Sequence, residues 1–217
     1  MINIDMFLVL STLTQLETLE ALGCTWLQPM VRRELSSPLR KLVLSRCDQD
    51  SSWLIQISLP QLTTFIYDLD DTAEHCFSFV RNHQSITTLW VLGSYDLNTK
   101  FARTAPQIHS YGTGDGFAHL YKRKSPKAKG VFPHLKELAI DTMMQELSLV
   151  DFEGIVKGRC LPLAHPQSKL APSTSPLDSL IIIRDATKDT PEPWRASDLF
   201  QSARRQVSSH LDWSGEE

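Results

Sequence analysis

A nine-residue frame of apolar side chains recurs along this chain and restricts its fold more than any other feature. It is clearest at Leu39-Arg-Lys-Leu42-Val-Leu44-Ser-Arg-Cys47 and returns, in looser form, at five other places. These are Leu16, Leu19, Ala21 and Cys24; Leu62, Phe65, Tyr67 and Asp70; Ile86, Leu89, Val91 and Ser94; Leu135, Leu138, Ile140 and Met143; and Leu177, Leu180, Ile182 and Asp185. The starts at 16, 39, 62 and 86 lie 23, 23 and 24 residues apart. Successive side chains of a strand point to opposite faces. Offsets three and five, apolar in every copy, therefore share one face, and offsets two, four and six share the other.

A period in this range, with one strand and one helix or tight turn per unit, marks leucine-rich repeats. The frame predicts an α/β leucine-rich-repeat solenoid, a curved arc with one short parallel strand per rung and helices on its convex side. Each rung buries its apolar face only against its neighbours, so stability is collective and the end rungs need covering. One repeat domain over residues 1–186 follows, with a polar connector and capping helix over 187–217. In that tail Thr190-Pro-Glu-Pro193 is a stiff connector. Ser197-Asp198 caps a helix through Leu199, Phe200, Ala203, Val207 and Leu211, which either covers the last rung or binds a partner freely.

Between strands the apolar spacing becomes helical. Met6 to Leu10, too short to span a bilayer, reads as an outer helix. Trp53, Leu54, Ile57 and Leu59 precede one strand, and Cys76, Phe77, Phe79, Val80 and His83 the next, as short amphipathic helices would, the second capped by Asp71-Thr72. Leu147 to Cys160 reads as the longest helix, with Asp151 and Glu153 early and Lys157 and Arg159 late, the order the helix dipole favours. Two stretches break the period. An insertion loop is expected over about 98–130, where Ile108-His-Ser-Tyr111-Gly-Thr113 fits the frame poorly because glycines weaken a strand. A Pro/Ser-rich loop is expected over about 162–176.

The insertion carries Lys122, Arg123, Lys124, Lys127 and Lys129, a run that cannot be buried. It reads as a solvated loop, with a nuclear-import address or an acidic partner as the functional alternatives. The segment from Tyr121 to Gly130 is expected to be dispensable for folding. Over the whole chain 22 basic against 25 acidic residues give a net charge of −3, with no global pull toward nucleic acid or membrane. The glycines at 112, 114 and 116 lack the Gly-Lys-Ser/Thr ending of a phosphate loop. Four cysteines with no Cys-x-x-Cys pair suggest a reducing compartment, cytoplasmic or nuclear. Cys24 and Cys47 share an offset on adjacent rungs and read as small buried thiols in preference to a bridge. Seven histidines show no metal-ligand or nucleophile-elbow spacing, so no catalytic, metal or cofactor residues are assigned.

The expected function is binding through the concave strand face. Its middle column, at offset four, is Glu20, Val43, Ile66, Trp90, Ala139 and Ile181, apolar in all but the first. An exposed sheet face tends toward polar residues, so this stripe is expected to be covered, by a protein partner or by the chain's own insertion or tail. Val43, Ile66, Trp90, Leu92 and Ile181 are the candidate contacts, with Trp90 as anchor.

The frame, the run Phe152-Glu-Gly-Ile-Val-Lys-Gly-Arg-Cys160, the Pro/Ser loop and Ser175-Pro-Leu177-Asp-Ser-Leu180-Ile-Ile182 together resemble the leucine-rich region of fungal F-box-like proteins. The resemblance covers roughly Phe7 to Asp185. It implies a substrate-recognition role in a ubiquitin ligase, with an F-box, in a segment outside this chain, docked on a cullin-ligase adaptor. A repeat scaffold or adaptor unrelated to ubiquitin is the alternative.

Overall fold

The structure is a computed structural model and describes residues 2–4, 6–26, 33–34, 37–45, 51–68, 74–92, 102, 105–114, 118–121, 131–142, 146–161, 166–169 and 174–183. It is an α/β fold built on one seven-stranded parallel sheet. The strands are β2 (Thr18–Leu22), β5 (Lys41–Ser45), β7 (Thr64–Asp68), β8 (Thr88–Leu92), β9 (Ser110–Thr113), β10 (Glu137–Asp141) and β11 (Ser179–Ile183). They lie side by side in chain order, every neighbouring pair parallel. Parallel neighbours need a crossover of a dozen or more residues, which the spacing between the frames supplies. Two small parallel pairs accompany the sheet: β1 (Ile2–Ile4) with β3 (Cys24–Trp26), and β4 (Arg33–Glu34) with β6 (Ile57–Ser58). Gly23, at φ 62, makes the break between β2 and β3, a left-handed conformation that suits glycine.

The ladder is regular to the level of single atoms. At each step the carbonyl before a strand accepts two backbone N–H groups of the next: Glu17 O from Arg40 and Lys41 (2.8 and 3.0 Å), Arg40 O from Thr63 and Thr64, Thr63 O from Thr87 and Thr88. Thr87 O continues the series by accepting from His109 and Ser110, His109 O from Lys136 and Glu137, and Lys136 O from Asp178 and Ser179. A tight turn before the strand also repeats, with Leu16, Leu62, Ile86, Ile108 and Leu135 N–H donating to the carbonyl three residues earlier.

The frame's apolar offsets build the core. Leu42, Leu44, Phe65, Tyr67, Leu89, Leu138 and Ile140 are completely buried. Behind them pack a 3-10 helix (Ser51–Gln56) and α2 (Glu74–Asn82), with α1 (Met6–Thr12) at the start of the chain. Phe65 meets the α2 residue Phe79 edge-on at 5.0 Å between ring centroids, and Phe79 lies 4.0 Å from His83. His83 is buried: its Nε2 accepts from Leu59 N–H (2.9 Å), which leaves the proton on Nδ1 to donate to Phe79 O (2.7 Å).

Three sequence expectations change. Ile108–Thr113, expected to be loop, supplies strand β9 in the middle of the sheet, with Ile108 and Tyr111 in the core. The helix expected from Leu147 to Cys160 splits into α4 (Leu149–Ile155), capped by the Ser148 hydroxyl, and a π-type turn, Val156–Cys160. That wider turn carries Arg159 inward, where it donates to Val131 O (2.7 Å) and Phe132 O (3.1 Å) and holds the turn at Phe132, whose φ is 42. Burial pulls its guanidinium down to about 10, against the helping charge of Cys160. Tyr121, expected to belong to a dispensable loop, ends the short α3 (Ala118–Tyr121) and packs on α4: its hydroxyl donates to Asp151 (2.8 Å), and its ring occupies the space a Cβ would take at Gly154. The basic run at Lys122–Lys129, Cys47, Asp71-Thr72, and the tail from residue 184 lie outside the described residues.

Candidate protein-binding face

The sheet's second face, turned away from the core, is ordered by the ladder. Glu20, Val43, Ile66, Trp90, Gly112, Ala139 and Ile181 stand in consecutive register, one per strand. Val43, Ile66, Trp90, Ile181 and, in the next column, Leu92 are half-buried, so the five candidate residues share this face and remain partly accessible. Val43, Ile66 and Trp90 are adjacent; Leu92 stands beside Asp68, and Ile181 belongs to the last strand.

Gly112 is the member of the column that the sequence reading missed. A Cβ built there would lie 2.5 Å from Cγ, 2.7 Å from Cδ2 and 3.0 Å from Cδ1 of Trp90. Three bonded ring atoms at nearly equal distances from one point mean that the ring meets it face-on. The indole therefore stacks face-on against Gly112, on the strand beside its own. Only glycine admits an aromatic ring this close to a strand backbone. The Trp90 Nε1–H is shielded and finds no acceptor among the described residues, an arrangement that disfavours the fold by roughly 1–3 kcal/mol. Packing on Gly112, not hydrogen bonding, sets the ring. The signal was present in the sequence: Tyr111 and Thr113 fill offsets three and five after Ile108.

Polar groups flank the stripe. Lys41 pairs with Glu20 (2.7 Å), Ser45 donates to Asp68 (2.7 Å) and Ser110 to Glu137 (2.7 Å). These are cross-strand pairs between adjacent strands, and they orient the carboxylates on this face. The Lys41 pair is too exposed to add much stability. Among the described residues no group of three or more His, Cys, Asp and Glu is placed to hold a metal ion, and no helix is long and apolar enough to cross a membrane.

Fold and face together define an α/β protein whose parallel sheet grows strand by strand in chain order and presents one apolar column bordered by hydroxyls and carboxylates. No protein-family model, curated protein or solved structure matches the chain.

Proposed function

We propose that this chain is a leucine-rich-repeat solenoid serving as a non-enzymatic, cofactor-free protein-interaction module, cytoplasmic or nuclear, with the open sheet face as its binding surface. By resemblance it is the substrate-recognition part of an F-box-type ubiquitin-ligase receptor. The observation that carries the binding reading is the unbroken register of Val43, Ile66 and Trp90 on the partly accessible face, an apolar stripe of the kind that marks interaction sites. The repeated two-donor carbonyl at every step supports the solenoid reading, since one hydrogen-bond pattern recurs wherever the frame recurs.

Affinity capture with the intact chain and with Ile66→Asp, which places a charge in the stripe, tests it. Partners lost on substitution, together with ligase adaptor and cullin subunits, are the expected result. Partners lost without those subunits favour the scaffold alternative. Capture indifferent to Ile66→Asp overturns the assignment of the face.

A further inference from the structure

We infer that the outer edge of β2 is a strand-addition site, separate from the open face: it takes one extended segment of a protein partner, added in parallel and apolar at its second and fourth positions. The small pair of β1 with β3 carries the register. Ile2, Asn3 and Ile4 stand against Cys24, Thr25 and Trp26, 22 residues further on. In the large sheet Thr18 stands against Lys41, and Thr64 against Thr88, 23 and 24 residues further on. β1 therefore holds, one turn earlier, the place that β3 holds after β2, and α1 follows it in the same turn. That turn lacks a strand in the large sheet. Set 22 residues ahead of Thr18–Leu22, such a strand would end just before β1, and among the described residues β2 is the outermost strand on its side.

The backbone of β2 is directed for such a neighbour. Glu17 O accepts from Lys41 N–H (3.0 Å), and Gly23 N–H donates to Ser45 O (3.0 Å). Along a parallel strand the N–H and C=O groups of successive residues face alternate sides, so Leu19 and Ala21 also bond β5, while Thr18 and Glu20 aim theirs outward. Burial agrees. Leu16 and Leu19 are only half-buried, whereas the same frame positions on the next two turns, Leu39, Leu42, Leu62 and Phe65, are completely buried. The residue types are alike, so the missing neighbour accounts for the difference. Leu8, Leu13 and Leu22, at 63, 49 and 68% exposed, extend the uncovered apolar end. Leu19 and Ala21, the second and fourth residues of β2, are its core-side pair, and a parallel neighbour in register sets its own second and fourth residues beside them. A partner adding a strand gains affinity from main-chain hydrogen bonds and specificity from alternate side chains. The chain's own residues ahead of β2 are committed to β1 and α1, and its tail follows β11, at the opposite edge, six strand spacings or roughly 29 Å away.

Amide hydrogen exchange, read residue by residue on the intact chain, tests this. The probe is a synthetic heptapeptide with the sequence of residues 39–45, Leu-Arg-Lys-Leu-Val-Leu-Ser, whose last five residues already pair with β2 from its other side. At millimolar concentration it should slow exchange at Thr18 and Glu20 by at least about fivefold and leave Leu19 and Ala21 unchanged, because those two are already bonded to β5. Serine in place of the probe's second and third leucines should abolish the effect. Joined directly ahead of Met1, where the register puts it, the same heptapeptide should give the same protection and raise the melting temperature by about 2–4 °C. Failure of both forms to slow Thr18 and Glu20 overturns the inference. Protection by the joined form alone overturns it in favour of a strand from the chain's own N-terminal side. Protection present without any probe also overturns it, in favour of a second copy where it grows with protein concentration and of the chain's own tail where it disappears on deleting residues 184–217. Ile66→Asp, on the sheet's other surface, should leave the probe's protection intact, which separates this result from the reading of the open face.

Discussion

The Trp90 indole lies face-on against Gly112 of the neighbouring strand, with Cγ 2.5 Å from the point a Cβ would occupy. One residue thus fits only because the other lacks a side chain. The pair sits at the middle of the sheet's open face, where β8 and β9 are in register.

That dependence is directly measurable. Gly112→Ala forces the ring off its position and should destabilise the chain by about 1–3 kcal/mol. In a Trp90→Ala background the same substitution should be neutral or mildly stabilising, because alanine suits a strand better than glycine once the ring is gone. Urea unfolding of the four variants gives the coupling, expected near 1–3 kcal/mol. Additive effects would show that the ring does not rest on Gly112.

The core prediction concerns Leu42, completely buried between Leu19 and Phe65 in the ladder. Leu42→Ala should destabilise by about 2–5 kcal/mol. Because each strand is held by its neighbours, amide hydrogen exchange should quicken in β2 and β7 as well as in β5. A loss below about 1 kcal/mol would contradict the burial.

His83 joins two consecutive turns by accepting from Leu59 N–H and donating to Phe79 O. His83→Ala strands a buried N–H and opens a gap beside Phe79, and should destabilise by about 2–4 kcal/mol. His83→Gln, which can still accept a hydrogen bond, should recover part of that loss in thermal unfolding.

Alkaline titration should single out Tyr121. Burial first, then the hydrogen bond it donates to Asp151 and that carboxylate's charge, push its phenol up to about 12. The folded value is raised, so the α3–α4 contact is fully supported below the ordinary tyrosine range and weakens as pH rises from about 10 to about 12. Absorbance at the tyrosinate band should show a step near 12 that Tyr121→Phe removes and Asp151→Asn moves downward. A step that Asp151→Asn leaves in place would refute the contact.

Thiol chemistry should separate the cysteines. Burial pushes the Cys160 thiol up to about 12 despite the opposing Arg159 charge, and pushes Cys76 higher still. Neither should react with a disulfide reagent in the folded chain, and both should react on unfolding, since the thiolate is the attacking species. Mass spectrometry of the labelled sites reads the outcome directly. Fast native labelling of Cys76 would place it outside the core.

The sequence by itself determined the strands that carry a strong frame and the residues that share each face. A strand's two-residue period converts spacing directly into sidedness, so Val43, Ile66 and Trp90 were assignable to one open column before any contact was known. Only the tertiary structure decided what depends on a neighbour distant in sequence. Gly112 weakens a strand when judged alone, yet it belongs in β9 because Trp90, on another strand, needs the space above it. Arg159 follows the helix-dipole rule when judged alone, yet a π turn carries it inward to carbonyls at Val131 and Phe132. Tyr121 adjoins a charged run, yet glycines at 154 and 158 on α4 and the π turn leave room for its ring. In each case local propensity ranks the residue by its own backbone, while packing ranks it by the shape of a partner that the linear pattern does not specify.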